Sequence, residues 1–226
     1  MLLVAAGWRL YGTTRSPEKA AALRALGVEP LVVDVFDAQA LRRAALSAGA
    51  RIVIHQLTDL PPGLDPARMA ASRERNARIR DVGTRNLVAA GLASGMRRLI
   101  AQSVSFAYAP GRLPLREDAP LNVGAPDEAG GLSARGVASL ESQTLAGPFE
   151  GVVLRYGKLY GPGTGFDSPS AGGPLHVDAA ADAARRAVTR GAPGIYNVAE
   201  EDGIVSSAKA ARELGWRDDF RIPAQG

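Results

Sequence analysis

Two seryl hydroxyls, Ser103 and Ser105, close the run RRLIAQSVS (Arg97 to Ser105), which holds no histidine or carboxylate to activate them. A serine without an adjacent base is a poor nucleophile, and on their own these two read as strand-end hydroxyls that bond to loop backbone. The chain has no cysteine and only two histidines, which excludes thiolate chemistry, disulfides and Cys- or His-rich metal sites; no metal is expected. Hydroxyls, carboxylates, arginine or a bound cofactor must carry the chemistry. Lys158, one of only three lysines, follows Tyr156 and Gly157 at the end of GVVLRYG and is either a substitute base or a solvated charge. His176 in HVD reads as a loop anchor and Asp178 as the cap of the next helix.

These candidates need a frame. Leu2 to Ala6 reads as a helix tail stopped by Gly7, Arg9 to Thr14 as a strand, and SPEKAAALRALG as a helix opened by Pro17 and closed by Gly27. LVVDVFD (Leu31 to Asp37) reads as a strand, with Asp37 capping the helix AQALRRAALSAG. RIVIHQL (Arg51 to Leu57) is a strand, Arg68 to Ser94 a long helix, Arg97 to Ser105 a strand, Ala134 to Ala146 a helix and Gly151 to Gly157 a strand. Strands that are apolar throughout and alternate with helices imply α/β architecture: a Rossmann-like doubly wound parallel sheet, buried on both faces. Pro110 to Gly131 and Gly161 to Pro174 read as loops beside strand ends, where an open α/β sheet binds its ligand. The expected organisation is a single domain, 1–226, in which 157–226 contribute a small loop-rich C-terminal substrate cap.

At 226 residues, 46% hydrophobic and 22% charged, the chain has the composition of an ordinary globular protein. No apolar run approaches the roughly 20 residues of a membrane span, and the first residues lack the pattern of a secretory leader, so a cytoplasmic protein with no membrane partner is expected. The net charge of +4 is modest. Arg73, Arg75, Arg78, Arg80 and Arg85 spread around several faces of their helix and are interrupted by Glu74 and Asp81, which argues against a nucleic-acid partner.

GTRNLVAAG followed by RRLIAQS, then LRYGKLYGPGTGF, PLHVDAAADAARRAV, GIYNVAEEDG and AKAARELGW resemble, in that order, the NAD(P)-dependent epimerase/dehydratase family, the extended branch of the short-chain dehydrogenases. The resemblance implies an oxidoreductase or epimerase using NADP or NAD on a nucleotide sugar or similar hydroxy/keto small molecule, and a possible homodimer. It implies that Ser103, or Ser105, is the catalytic hydroxyl, and that Arg15, Asp34, Val35, Leu57, Thr58, Tyr156, Gly157 and Lys158 meet the cofactor. Arg15 stands where a guanidinium would face the 2′-phosphate of NADP, no acid ending that strand. Tyr108 matches a structural tyrosine.

Three departures bear on function. The family opens with a strand and a Gly-rich turn for the pyrophosphate, and the reading of Leu2 to Gly7 as the end of the first helix leaves that turn outside the sequence. The connections Asp167 to Pro174 and Gly203 to Ser207 are short for the family, so breaks in the chain are expected there. Finally, SARGVASLE places Ser133 and Val137 where the family has its Tyr and Lys, and a shift that offers Val137 and Glu141 is no better. Neither supplies a tunable phenol, so turnover by the Tyr/Lys route is expected to be weak, and a non-catalytic NAD(P)-binding redox sensor or regulator is the alternative.

Overall fold

The computed structural model describes residues 2–61 and 64–223; Met1, at the start of the segment read for a leader, lies outside them. In order the chain forms α1 (Leu2–Ala5), β1 (Leu10–Thr14), α2 (Pro17–Ala25), β2 (Val28–Val32), α3 (Ala38–Ala48), β3 (Ile52–His55) and α4 (Pro66–Arg78). A π-helical turn, Ile79–Gly83, joins α4 to α5 (Thr84–Ala93). Then come β4 (Arg98–Val104), α6 (Gly131–Leu145), β5 (Glu150–Tyr156), β6 (Lys158–Tyr160), β7 (Pro174–His176), α7 (Val177–Ala187), β8 (Gly194–Val198) and α8 (Ala208–Leu214).

Local chemistry sets most boundaries. Asp37 Oδ1 accepts from Ala40 N at 2.9 Å to cap α3. Gly27 and Gly49 end their helices with φ of 75° and 58°, in the left-handed region. β2 starts and ends before the expected Leu31 to Asp37. It tolerates Pro30 because it pairs only with β1, Gly12 opposite Pro30, and an edge strand has one side free of ladder bonds. Past its end, Asp34 Oδ1 accepts from Phe36 N at 2.9 Å and turns the chain before α3.

Every strand pairing is parallel, as the apolar strand pattern required. Among the described residues the strands form a four-stranded sheet, β3-β4-β5-β8, a separate β1-β2 pair and a β6-β7 pair rather than one continuous sheet. Contact of α3 with α5 ties the β1-β2 unit to the larger sheet through Val33, Val35, Leu41 and Ala90. Leu154 of β5 packs with Ala180, Ala183 and Ala187 of α7, while its neighbour Arg155 turns to Glu141 of α6, so helices cover both faces.

The expected breaks are absent. The chain crosses both short connections as hydrogen-bonded turns, because Asp202 Oδ2 collects the N–H groups of Gly172 (3.0 Å) and Gly173 (2.7 Å) and its Oδ1 takes that of Ile204 (3.0 Å). Leu115 completes the closure, donating to Ile204 O at 2.8 Å and accepting from Ser206 N at 2.9 Å.

His55, at the end of β3, is 2% exposed. Its Nδ1 accepts from Leu57 N at 3.3 Å, which leaves Nε2–H to donate to Thr84 Oγ1 at 2.9 Å. Burial, with a smaller contribution from the positive charge of Arg80, pushes its pKa from 6.5 down to about 4. The unfolded chain therefore binds the proton first, so the stability His55 contributes is present above its ordinary value of 6.5 and is lost as pH falls toward about 4. The loss should amount to about 3 kcal/mol. Urea unfolding of the protein and of His55→Gln at neutral and at acid pH should show the smaller acid-induced loss in the variant.

Candidate functional site

The carboxyl ends of β1, β2 and β3 open into a cavity of about 510 Å³. Val33, Val35, Leu41, Leu57, Ile79 and Leu87 give it an apolar floor, while Thr14, Arg15, Ser16 and Lys19 form a cationic, hydroxyl-bearing rim. Arg15, in the bend before α2, and Lys19, in its first turn, bring two cations to this rim, and Lys19 was unused in reading the sequence. An apolar slot with a cationic edge suits an adenosine phosphate, so the residues present fit a dinucleotide.

Five of the residues expected at the cofactor line this cavity: Arg15, Asp34, Val35, Leu57 and Thr58. Arg15 pairs with Asp59 at 3.3 Å, and Arg75 holds the other oxygen of that carboxylate at 2.8 Å. Thr58 Oγ1 donates to Asn76 Oδ1 at 2.9 Å, and Val35 O accepts from Asn86 Nδ2 at 2.9 Å. Asp59 and Asn76, which set this wall, gave no motif because they meet only when α4 folds back over the end of β3.

Tyr156, Gly157 and Lys158 do not line the cavity; they stand at the end of β5, level with the end of β4. The Tyr156 hydroxyl donates to Ala180 O at 2.8 Å, and burial drives its pKa far above the ordinary phenol value. A Cβ on Gly157 would lie 2.3 Å from Gly173 O, so only glycine permits that approach. Lys158 Nζ donates to Ala171 O at 2.7 Å, tying the loop. His176 anchors as expected, its Nδ1 accepting from Asp178 N at 3.2 Å. It is thus His176 that caps α7; Asp178 stands inside the first turn and its carboxylate accepts from Ile222 N at 3.0 Å.

Ser103 and Ser105 differ sharply. Ser103 is fully buried and donates to Glu141 Oε1 at 2.6 Å, while Glu141 also receives Arg155 Nε at 2.9 Å and its terminal nitrogen at 2.7 Å. Burial, the largest single influence, opposes the Arg155 charge, but the hydrogen bonds and charge of Glu141, with smaller help from Tyr108, together outweigh it and hold the guanidinium even more firmly protonated than usual. The Arg155 guanidinium lies 4.7 Å from the Tyr108 ring centre, and the Tyr108 hydroxyl donates to Asn197 Oδ1 at 2.6 Å. Ser105, 2% exposed, is the one buried side-chain polar group among the described residues whose hydroxyl has no partner. Its Oγ faces the backbone of Gly173, 3.6 Å from where a Cβ there would lie.

On α6, Val137 is fully buried against Val104, Ala107 and Ala134, and Ser133 Oγ accepts from Arg80 at 2.9 Å. The Arg80 contact spans 53 positions of sequence, so no local pattern announced it.

Parallel strands between helical layers, with a cavity at the carboxyl ends of β1, β2 and β3, define a Rossmann-type fold, the kind that binds a dinucleotide at that edge. Residues 1–127 match the NAD(P)H-binding family model, and the chain belongs to that family. It is 41% identical, over an alignment of 217 residues covering 86% of this chain and 71% of the relative, to a Streptomyces 3-diazoavenalumate denitrifying reductase. In fold it is similar to the UDP-glucose 4-epimerase of Thermotoga maritima solved with UDP-glucose (TM-score 0.75, 14% identity, 97% and 89% of the two chains). It is also similar to the Thermus thermophilus UDP-glucose 4-epimerase solved with NAD (TM-score 0.70, 19% identity, 97% and 89%). NAD(P) is its cofactor.

Removing the guanidinium in Arg15→Ala should weaken NADPH about tenfold to a hundredfold, the worth of a charge-assisted phosphate contact, and leave NADH nearly unchanged; fluorescence titration with both cofactors checks this. Glu141→Gln leaves the buried Arg155 charge uncompensated and should lower stability by about 3 kcal/mol, read from denaturant midpoints at unchanged m.

Proposed function

We propose that this chain is an NADPH-using reductase whose acceptor carries a leaving group that departs without a proton, of which a diazo group is the type. The observation that carries the reading is Ser133 with Val137 at the positions where the resemblance expects Tyr and Lys. Reduction of a carbonyl generates an alkoxide that needs a proton, and general acid help there is worth roughly 10² to 10⁴ in rate. Replacement of a diazo group by hydrogen makes a different demand. On an aromatic ring, where the group is a diazonium, a hydride forms the new C–H bond, the C–N bond breaks, its electron pair leaves with nitrogen as N₂, and no proton is delivered. The similarity to a reductase named for denitrifying a diazo compound supports the same class.

In this reading Arg15, Lys19, Asp34, Val35, Leu57 and Thr58 hold NADPH, which supplies the hydride when bound. Ser105 keeps a free hydroxyl just past the end of β4, and Ser103 positions Glu141. Tyr156, Gly157 and Lys158 bring the 157–226 cap against the reacting end. A nucleotide sugar is the second reading, supported by the LRYGKLYGPGT segment and by neighbours solved with UDP-glucose or with UDP.

The two readings separate in one assay. NADPH oxidation and N₂ release, followed by absorbance and mass spectrometry, should proceed together with 3-diazoavenalumate and be absent with UDP-glucose. NADPH consumption without N₂, or turnover of UDP-glucose alone, overturns the proposal; binding of NADPH with no turnover of either assigns the chain to the non-catalytic class.

A further inference from the structure

Arg80 sits in the π-helical turn between α4 and α5, the kind of helix irregularity that recurs at functional sites. It is half-buried, and its side chain runs along α6, with Cδ 3.5 Å from where a Cβ on Gly136 would lie. Its contact is a single hydrogen bond to Ser133 Oγ at 2.9 Å. Among the described residues it forms no ion pair. The neighbouring carboxylates are committed elsewhere: Asp81 to Arg85 and Ser139, Asp59 to Arg15 and Arg75, and Glu141 to Arg155 and Ser103. The other N–H groups of this half-buried side chain have no acceptor among the described residues.

A guanidinium drawn into the protein without a counter-ion is costly, and burial does weaken its hold on the proton. Five donors in a planar fork match an anionic oxygen better than any other group available here. Gly136 permits the close packing, since a Cβ there would lie 3.1 Å from Ala77 Cα and the two helices could not approach so near. Ser133, at the amino end of α6, holds the fork through its Oγ.

We infer that Arg80, steadied by Ser133, is a binding site for an anionic oxygen of the acceptor, a carboxylate or phenolate on an aromatic ring. This deepens the reductase reading, on which it rests for taking this face of α6 as the acceptor side. It gives Ser133, at the position where the resemblance expects a Tyr, a use in steadying an anchoring cation where proton transfer is not required.

Binding of unreactive probes tests it independently of turnover. Cinnamate carries a carboxylate and no phenol, 4-nitrophenolate the reverse, and methyl cinnamate neither charge. Calorimetric titration of the full chain with NADP present should show one or both anions binding, with affinity lowered about tenfold or more in Arg80→Gln and partly kept in Arg80→Lys. Methyl cinnamate should bind the three proteins alike. The anion that loses affinity identifies the source of the oxygen. Equal binding of both anions to the protein and to a folded Arg80→Gln, checked by its unfolding midpoint, or failure of both anions to bind the unaltered protein, overturns the inference. If 3-diazoavenalumate is turned over, Arg80→Gln should raise KM with kcat little changed. Loss of turnover with anion binding intact strikes the reductase reading, and loss of anion selectivity with turnover intact strikes this one.

Discussion

A carboxylate and a guanidinium held out of water, Glu141 on α6 and Arg155 on β5, govern how the parts of the molecule meet. Their attraction offsets the cost of burying either only because both oxygens and most of the guanidinium donors are used. Ser103 takes one oxygen of Glu141 from the end of β4, and Arg155 reaches Glu117 O at 3.2 Å. Glu117 in turn accepts from Asn197 N at 3.0 Å, and Asn197 receives the Tyr108 hydroxyl. One polar chain thus fastens α6, three strands of the sheet and the loops on either side of it. Apolar packing alone would fix the layers less specifically, because it has no direction.

The cofactor side is built by different means. Among the described residues the β1-β2 pair is not hydrogen-bonded to the larger sheet, and helix packing of α3 on α5 carries the attachment. The cavity lies across this junction, its walls drawn from both units. Polar clamps at its rim, with Asn76 gripping Thr58 and the Asp59 backbone N–H, order the loop after β3 without filling the apolar floor. The π-helical turn faces the same region: Ile79 lines the cavity while Arg80 turns to α6.

The two sides have opposite electrostatic habits. Beside the end of β4 the charges of Glu141 and Arg155 match one another, while among the described residues the Ser105 hydroxyl there has no partner and the Arg80 fork, against α6, has only Ser133; both are groups able to donate. Donors without acceptors suit an electron-rich partner. A phenol–ammonium relay would instead require a second cation beside the first, and Val137 gives that place to the core.

Much was legible in the sequence because it depends on neighbours a few residues away. Asp37 and Gly49 bound α3, Pro17 opens α2, and apolar strands between helices dictate parallel pairing; five of the residues expected at the cofactor line one cavity, since in such a sheet the strand ends share an edge. The β2 boundary was missed because its edge position, a tertiary fact, is what makes Pro30 acceptable. The short connections were misread because Asp202, which closes them, works across 30 positions. Ser103 and Ser105 look equivalent in sequence, yet a strand points successive odd residues to one face only while it lasts. The chain leaves β4 at Val104, so Ser103 meets Glu141 while Ser105 meets the Gly173 backbone. Periodicity and caps are local and belong to the sequence; which charge finds a partner is decided by chain segments that meet only when the layers close.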